Sequence, residues 1–506
     1  MRPQVLISGA GPTGLVLALF LRHLNIPFRI IDKLPGPGLA SRAMVIQART
    51  LEFYRQINFA DTVIAAGIKM RGIRLRASGK QIAGFQFDEI GDDLSPYPFV
   101  LSLPQDDHEH LLVAQLKSLG VEVEWNTELT RCVDHTSHVT ATFHSKSGES
   151  TADFRYLVGC DGAHSLVRES LNLSFPGGTY NEIFFVTDCD AQGLQFDDSV
   201  NISLTKGTFI LAFPVRSKGS FRFIGVVPPD HEDPIHATFE DIRPILKSQL
   251  NADVDKVHWF SAYRVHHRVA QNFRKGNIFL AGDAGHIHSP AGGQGMNTGI
   301  GDAVNLAWKL AAVLDRRAES PILDTYESER IAFAHTLVES TDRIFQAVVG
   351  PGPGPAFVRS VLMPHIMPWV LKLRAVRRAQ FRLVSQIRIH YPKSAISHGH
   401  AGKLKGGDRL PWVSTQNNFA PLRSLDWQLH VYGTASDNVR AIADHRYIPL
   451  LHFKYVHAAR AAGIPKDAPL LIRPDGYIAF VATSRTLDDL AAFLDRWKIA
   501  PRLTPR

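Results

Sequence analysis

Residues 4–8 form a short aliphatic and β-branched run that breaks into Gly9-Ala10-Gly11-Pro12-Thr13-Gly14. Residues 13–24 then carry helical apolar spacing, and Phe28–Ile31 reads as a second strand. A strand, a glycine turn, a helix and a strand make a βαβ unit, which implies a parallel sheet. Each glycine has a separate task. Gly9 allows the tight turn, Gly11 lets backbone approach a pyrophosphate, and Gly14 lets helix pack close on strand. The helix N-terminus offers free N–H groups and a positive dipole end, and Pro12 lies in the same turn. Asp32 ends the second strand where a carboxylate can accept hydrogen bonds from a ribose, with Lys33 beside it. A lone GxGxxG is weak. With strand, helix and acid all in place, dinucleotide binding is favoured over a glycine turn that merely packs a helix on a sheet.

Two further motifs follow strand-like runs. Gly159-Cys160-Asp161-Gly162-Ala163-His164-Ser165 comes after Tyr156–Gly159, putting Asp161 at a carboxyl-terminal strand end, where open α/β sheets bind ligands. Taken alone, this segment is an ordinary strand–turn–helix joint. Gly282-Asp283-Ala284-Gly285-His286 follows an apolar strand, and Pro290-Ala291-Gly292-Gly293-Gln294-Gly295-Met296-Asn297 leads into a helix expected from about Thr298. Glycines there expose backbone N–H groups that can stabilise a developing anion in a ring system laid against them.

The 506 residues suggest about three domains. Lys and Arg number 56 and Asp and Glu 48, a net charge of +8 that suits anionic ligands without naming one. The three cysteines form no CxxC or finger spacing, so neither a disulfide framework nor a structural zinc site is expected; a reducing cytoplasm fits. The apolar stretch 5–21 is interrupted by glycines and a proline and reads as strand, turn and buried helix rather than a membrane span.

Residues 50–56 read as a helix, 108–119 as a helix, 121–125 as a strand, 127–155 as a meander and 184–227 as a strand-rich region. Its last part reads as a hairpin of 208–215 with 220–227. Residues 326–349 continue as helix and 350–355 form a Pro/Gly linker. A basic amphipathic helix is expected over 369–390, with Arg374, Arg378 and Arg382 in an i,i+4 stripe. A solvated face is its plain reading, and a membrane-surface or acidic-partner role the alternative. The chain from about 400 alternates strand and helix again.

In order and spacing, the GxGxxG, CDG and GD segments resemble the FAD-dependent aromatic hydroxylases, the class A flavoprotein monooxygenases related to para-hydroxybenzoate hydroxylase. The string NIFLAGDAGHIHSPAGGQGMNTGIGDAVNLAWKL is similar to the phenol-hydroxylase and polyketide-hydroxylase branch. That branch has a thioredoxin-like tail, matched here by GGDRLPWV and LIRPDGYIAF. The tail lacks CxxC, so its default role is packing or oligomerisation, for instance in a homodimer. The resemblance implies an α/β fold: a Rossmann-like FAD domain (1–70, 97–175, 276–345), interrupted by a mostly antiparallel β substrate domain (71–96, 176–275). A helical linker (346–399) and a thioredoxin-like domain (400–506) follow.

The resemblance also assigns residues. Gly9, Gly11 and Gly14, with Pro12 between them, hold the FAD pyrophosphate, and Asp32, followed by Lys33, holds the adenosine ribose. Arg42 and Gln105 contact the cofactor, Asp161 serves FAD and NAD(P)H, and Asp283, after Gly282, binds the ribityl chain. Pro290, Gly293, Gly295, Met296 and Asn297 line the isoalloxazine. The implied chemistry is reduction of FAD by NADPH or NADH, O2 capture as a flavin C4a-hydroperoxide, and oxygen transfer to a small phenolic or polyketide-like aromatic. No metal is needed because the cofactor carries the difficult step.

No substrate-activating residue is assigned. His286 reads as structural, as do Tyr263, His266 and His267, while His288, in the same loop, is left open. The acid that relatives of phenol hydroxylase use before the helix near Thr50 is missing between Ala43 and Ala48. Phe184, Phe185, Phe209, Phe213, Phe221 and Phe223 are expected to wall an apolar pocket, although strand alternation alone produces such a row. An epoxidase, a Baeyer–Villiger-type oxygenase and a non-catalytic flavin- or ligand-binding protein are the alternatives. The WxWxIP string of flavin-dependent halogenases is absent, and nucleic-acid binding would rest on net charge alone.

Overall fold

A computed structural model describes residues 3–38, 43–77, 79–86, 91–205, 208–228, 231, 233–289, 293–350, 352–358, 362, 366–370 and 372–502. Arg42 and Pro290 lie outside the described residues.

Val5–Ser8 pairs in parallel with Phe28–Ile31 on one side and Tyr156–Gly159 on the other. Ile278–Leu280 adds in parallel to Tyr156–Gly159, and Arg274–Lys275 closes that edge antiparallel. The strands are short and apolar because both faces are covered; Val5, Leu6 and Ile7 have no exposed surface. Helices Pro12–His23 and Gly295–Leu314 pack together over the sheet. The Gly9 turn, Asp32, Asp161 and the Gly282 turn therefore leave the same sheet edge, although they are spread through the first 283 residues.

A second sheet has eight strands. Its order is His286–Ile287, Asp253–Val269, Gly177–Gln192, Ser220–Val226, Thr208–Pro214, Ser199–Thr205, Gly72–Ala77 and Lys80–Gln86. All its pairs are antiparallel except Ser199–Thr205 with Gly72–Ala77. The expected hairpin is present, and Glu128–Asp134, Val139–Ser145 and Gly148–Phe154 form the expected meander. In the tail, Leu450–Phe453, Gln428–Tyr432, Pro469–Ile472 and Ile478–Val481 form a sheet with one parallel pair and then antiparallel pairs. With helices Asp437–His445, His457–Ala461 and Leu487–Arg496, this is a thioredoxin-like βαβαββα order.

Two expectations are corrected. Residues 121–125 form no strand; only Glu124 bridges, to Ile31, because the chain touches the sheet edge once and turns away at Asn126, whose φ is +52°. The basic helix over 369–390 is broken into Met367–Val370 and Arg374–Val384, with Leu373 extended at the break. The second strand-and-helix pair of the tail, Leu450–Phe453 and His457–Ala461, and the helix Phe239–Leu250 went unread in the sequence.

Candidate active site

The glycine turns are built to admit backbone and exclude side chains. Gly9 has φ +104°, and a Cβ there would strike the Cys160 carbonyl. A Cβ on Gly282 or Gly299 would strike Thr13, so the two long helices approach closely only because these positions are glycine. Gly11, by contrast, faces open space. Both helices begin without a side-chain cap, at Gly11 and at Gln294. Their first N–H groups are thus left for a ligand.

Two of the acids have settled partners. Asp32 Oδ2 accepts from Ala10 N at 2.7 Å and Oδ1 from Leu34 N at 2.8 Å. Lys33 is exposed beside it. Asp161 Oδ2 accepts from Val167 N at 3.1 Å, but its buried Oδ1 has no partner among the described residues. Burial raises the Asp161 pKa. A buried acceptor in this state fits a donor brought by a ligand. Asp283 is exposed on the cavity wall.

Gln105 starts the helix Gln105–Ser118 rather than preceding it. Its Nε2 donates to Glu109 Oε1 at 2.8 Å, and its Oε1 accepts from Ala43 N at 3.4 Å. Glu109, missed in the sequence, also accepts from Gly38 N at 2.8 Å. Its i,i+4 spacing from Gln105 was the available signal.

Asn297 stands behind the cavity rather than on it. Its Oδ1 accepts from Gln47 N and Thr50 Oγ1 at 2.9 and 2.8 Å, and its Nδ2 donates to the Val45 and Gly293 carbonyls. It clamps the glycine loop to the segment beneath. Asp302 does the same for the Gly282 turn, accepting from Gly282 N at 3.0 Å and from Arg330 Nε at 2.5 Å. His286 Nε2 is 2.7 Å from the same carboxylate, so the structural reading of His286 holds. A third clamp lies across the cavity. Arg222, with no exposed surface, grips Asp188 at 2.6 and 2.8 Å and donates to the Ala43 carbonyl at 3.2 Å. A charged residue in the inward register of an apolar strand was its only sequence signal.

One cavity of about 730 Å³ connects these parts. At one end it is lined by Gly11, Pro12, Gln105, Asp283, Gly295 and Met296, with Gly293 beside them. The other end is aliphatic: Ile73, Val100, Val200, Ile202, Leu211 and Ile224. The expected phenylalanine wall is corrected, since of the six only Phe213 lines the cavity. Phe185, Phe221 and Phe223 point to the opposite face and pack against Phe239–Leu250, while Phe184 and Phe209 pack with Phe345. Strand alternation, which produced the row, also turned it away.

Tyr263, Arg264, His266 and His288 supply polar groups to the cavity; His267 does not reach it. The structural reading of Tyr263 and His266 thus gives way to a lining position, and His288, left open in the sequence, lines the cavity too. His288 Nδ1 lies 2.8 Å from the Ser289 carbonyl, which can only accept, so that nitrogen carries the proton. Its Nε2 is buried with no partner among the described residues. Burial first, and then His286, push its pKa down to about 4, so the ring is neutral at ordinary pH.

Uncapped helix starts, a buried carboxylate oxygen with no partner among the described residues and a glycine cradle leading into an apolar chamber suit a dinucleotide whose reactive ring meets a second molecule. Residues 2–341 match the family described as FAD binding domain. The chain belongs to that family. It is 33% identical to 6-methylpretetramide 4-monooxygenase of Streptomyces rimosus, over 99% of this chain and 95% of the relative. Among solved structures it is similar to anhydrotetracycline hydroxylase from Streptomyces rimosus (TM-score 0.78, 28% identity, 99% and 100% of the chains). It is also similar to aklavinone-11 hydroxylase in complex with FAD and aklavinone (TM-score 0.77, 25% identity, 98% of both chains). The chain is an FAD-dependent, NAD(P)H-using monooxygenase of the aromatic hydroxylase type. No described helix is long and apolar enough to cross a membrane.

Proposed function

We propose that the substrate is a polycyclic phenol that lies between the aliphatic wall and the glycine loop of Gly293–Met296. The observation that carries this reading is the continuity of one cavity from the cofactor turns to the aliphatic chamber. Broad apolar surface with a few polar groups at one side suits a flat fused-ring compound better than a single ring. The relatives named for anhydrotetracycline and aklavinone support it.

The Gly9–Gly14 turn, Asp32 and Asp161 would hold the dinucleotide half of FAD, and Asp283 the chain leading to its ring. Gln105, on the cavity wall, would meet the cofactor directly, and Asn297 acts at one remove, through the loop at Gly293. When bound, FAD supplies the acceptor for a hydride from NAD(P)H and the means of activating O2. The protein does the rest. The uncapped start of Gly295–Leu314 offers positive dipole to negative charge arising on the ring system. The aliphatic wall keeps water away from the reacting carbon. Neutral His288, whose Nε2 has no partner among the described residues, can accept a hydrogen bond from the substrate hydroxyl and so make its ring more electron-rich. Arg264 and Arg268 stand near His266, whose pKa burial and then these cations lower, and they offer positive charge suited to the phosphates of NAD(P)H. We infer a cytoplasmic location for the same reduced coenzyme supply; a homodimer, if formed, would use surfaces other than the tail face buried at Arg473.

The test is NAD(P)H consumption by the FAD-loaded chain with fused-ring phenols and with single-ring phenols of matched substitution. Fused-ring compounds are expected to stimulate consumption and yield oxygenated product. Stimulation by single-ring phenols alone would overturn the substrate class.

A further inference from the structure

The net positive charge of the chain comes from one stretch. Residues 344–407 hold ten Lys and Arg and no Asp or Glu, whereas the other 442 residues carry 46 cations against 48 acids. The same stretch holds five of the eight large hydrophobic side chains that stand exposed among the described residues: Phe357, Ile366, Trp369, Leu373 and Leu383. Trp369 is 69% exposed and Leu373 59%. The Lys372 ammonium lies 4.1 Å from the centre of the Trp369 ring, so cation and aromatic share one outward face. Either observation alone would be unremarkable, since basic faces are commonly solvated and single exposed apolar residues are normal. Their coincidence in a segment without acids is not.

The stretch is anchored to the body of the enzyme. Phe381 is fully buried, Arg378 pairs with Asp93 at 2.7 Å, and Gln386 Nε2 donates to Gln294 Oε1 at 2.7 Å. Val384 lines the cavity. The exposed apolar groups are therefore carried at the outer side of a segment whose inner side walls the substrate chamber.

We propose that this face docks on the surface of an anionic lipid bilayer, with Trp369 and Leu373 entering the headgroup region and Lys372 and Arg374 lying over lipid phosphates. Among the described residues these apolar side chains stand on or beside separate short elements, Pro353–Phe357, Met367–Val370 and Arg374–Val384, and none of the five lines the cavity. A protein partner would need a matching pocket for each, whereas a bilayer accepts scattered apolar groups wherever cations hold it near. Docking there would bring the chamber close to a phase in which apolar aromatic compounds concentrate. The proposal goes beyond the monooxygenase reading and stands without it, because the binding is measured without turnover.

The experiment is sedimentation of the full-length, FAD-loaded chain with two kinds of vesicle: phosphatidylcholine alone, and phosphatidylcholine mixed with phosphatidylglycerol. Binding is expected to the mixed vesicles at low salt, with little to phosphatidylcholine, and release as salt is raised. The pair Trp369→Ser and Leu373→Ser should weaken binding by about tenfold or more. The pair Lys372→Ala and Arg374→Ala should weaken it by about fivefold per charge removed. Bound FAD and NAD(P)H consumption should be unchanged in both variants, which reports an intact fold. Absence of binding to mixed vesicles at low salt overturns the proposal. So does binding that ignores Trp369 and Leu373, which would be adsorption of a polycation, and so does equal retention on polyglutamate, which would mark the face as one for acidic protein.

Discussion

At the scale of single residues, the site depends on groups that are incomplete by themselves. Asp161 keeps one oxygen for Val167 and leaves the other buried and unmatched among the described residues. Asp161→Asn retains an oxygen for Val167 but offers an amide where an acceptor stood. We expect FAD affinity to fall by about ten- to a hundredfold, with little change in thermal midpoint, in a fluorescence titration of the apoprotein. His288 is the other such group. Its pKa of about 4 leaves it uncharged throughout the neutral range, with Nε2 able to accept a hydrogen bond. His288→Leu should lower the maximal rate with phenolic substrate while FAD content stays normal, and the wild-type rate should show no limb from this residue above about pH 5. The glycines and Asp161 were legible in the sequence because a strand end and a turn demand them locally. His288 was not: whether a histidine in a glycine loop is core or lining depends on the neighbouring strand that the fold lays beside it.

At the scale of elements, the helices Pro12–His23 and Gly295–Leu314 bring their free ends together because Gly299 lets Thr13 nest against it. Gly299→Ala should lower the thermal midpoint, at a cost of about 1–3 kcal/mol from overpacking. Adding Thr13→Ala should recover part of that loss, and a melting series of the four variants measures the coupling. Equal and additive losses would show that the contact does not control the packing. The parallel strands and the hairpin could be read from apolar runs and turn residues. The direction of the phenylalanine row could not, because alternation tells that two faces exist and not which one meets the cavity. Arg222 and Asp302 were hidden for a related reason. A buried charge is marked by a partner far off in sequence, here 34 residues away for Asp188 and 28 for Arg330.

At the scale of the whole molecule, the thioredoxin-like tail is tied into the enzyme by fully buried charges. Arg473 donates to both oxygens of Glu329 at 2.7 and 2.9 Å and pairs with Asp475, while Lys309 binds Glu329 from the other side. Burial alone would raise the Glu329 pKa, but Arg473 and Lys309 outweigh it and hold it well below the usual carboxylate range. A carboxyl held low in the fold adds stability above its unfolded value, near 4.5, and surrenders it as pH falls further. Glu329→Gln should therefore cost about 3–5 kcal/mol at neutral pH, because it leaves Lys309 without a carboxylate and Arg473 with Asp475 alone, and the deficit should narrow below about pH 4.5. Thermal midpoints of both proteins across pH report this directly. Three of the four strands in the tail's sheet were legible from strand-like runs, but not Leu450–Phe453 and not the docking, since Glu329 and Arg473 lie 144 residues apart. The central claim is that the cofactor turns and the aliphatic chamber serve one reaction, insertion of an oxygen atom from O2 into an aromatic ring. The most direct measurement is turnover of the FAD-loaded chain with NAD(P)H and a fused-ring phenol under isotopically heavy dioxygen, followed by mass analysis of the product. The account predicts a product heavier by one labelled oxygen atom; NAD(P)H consumed to labelled peroxide, with every tested phenol unchanged, would contradict it.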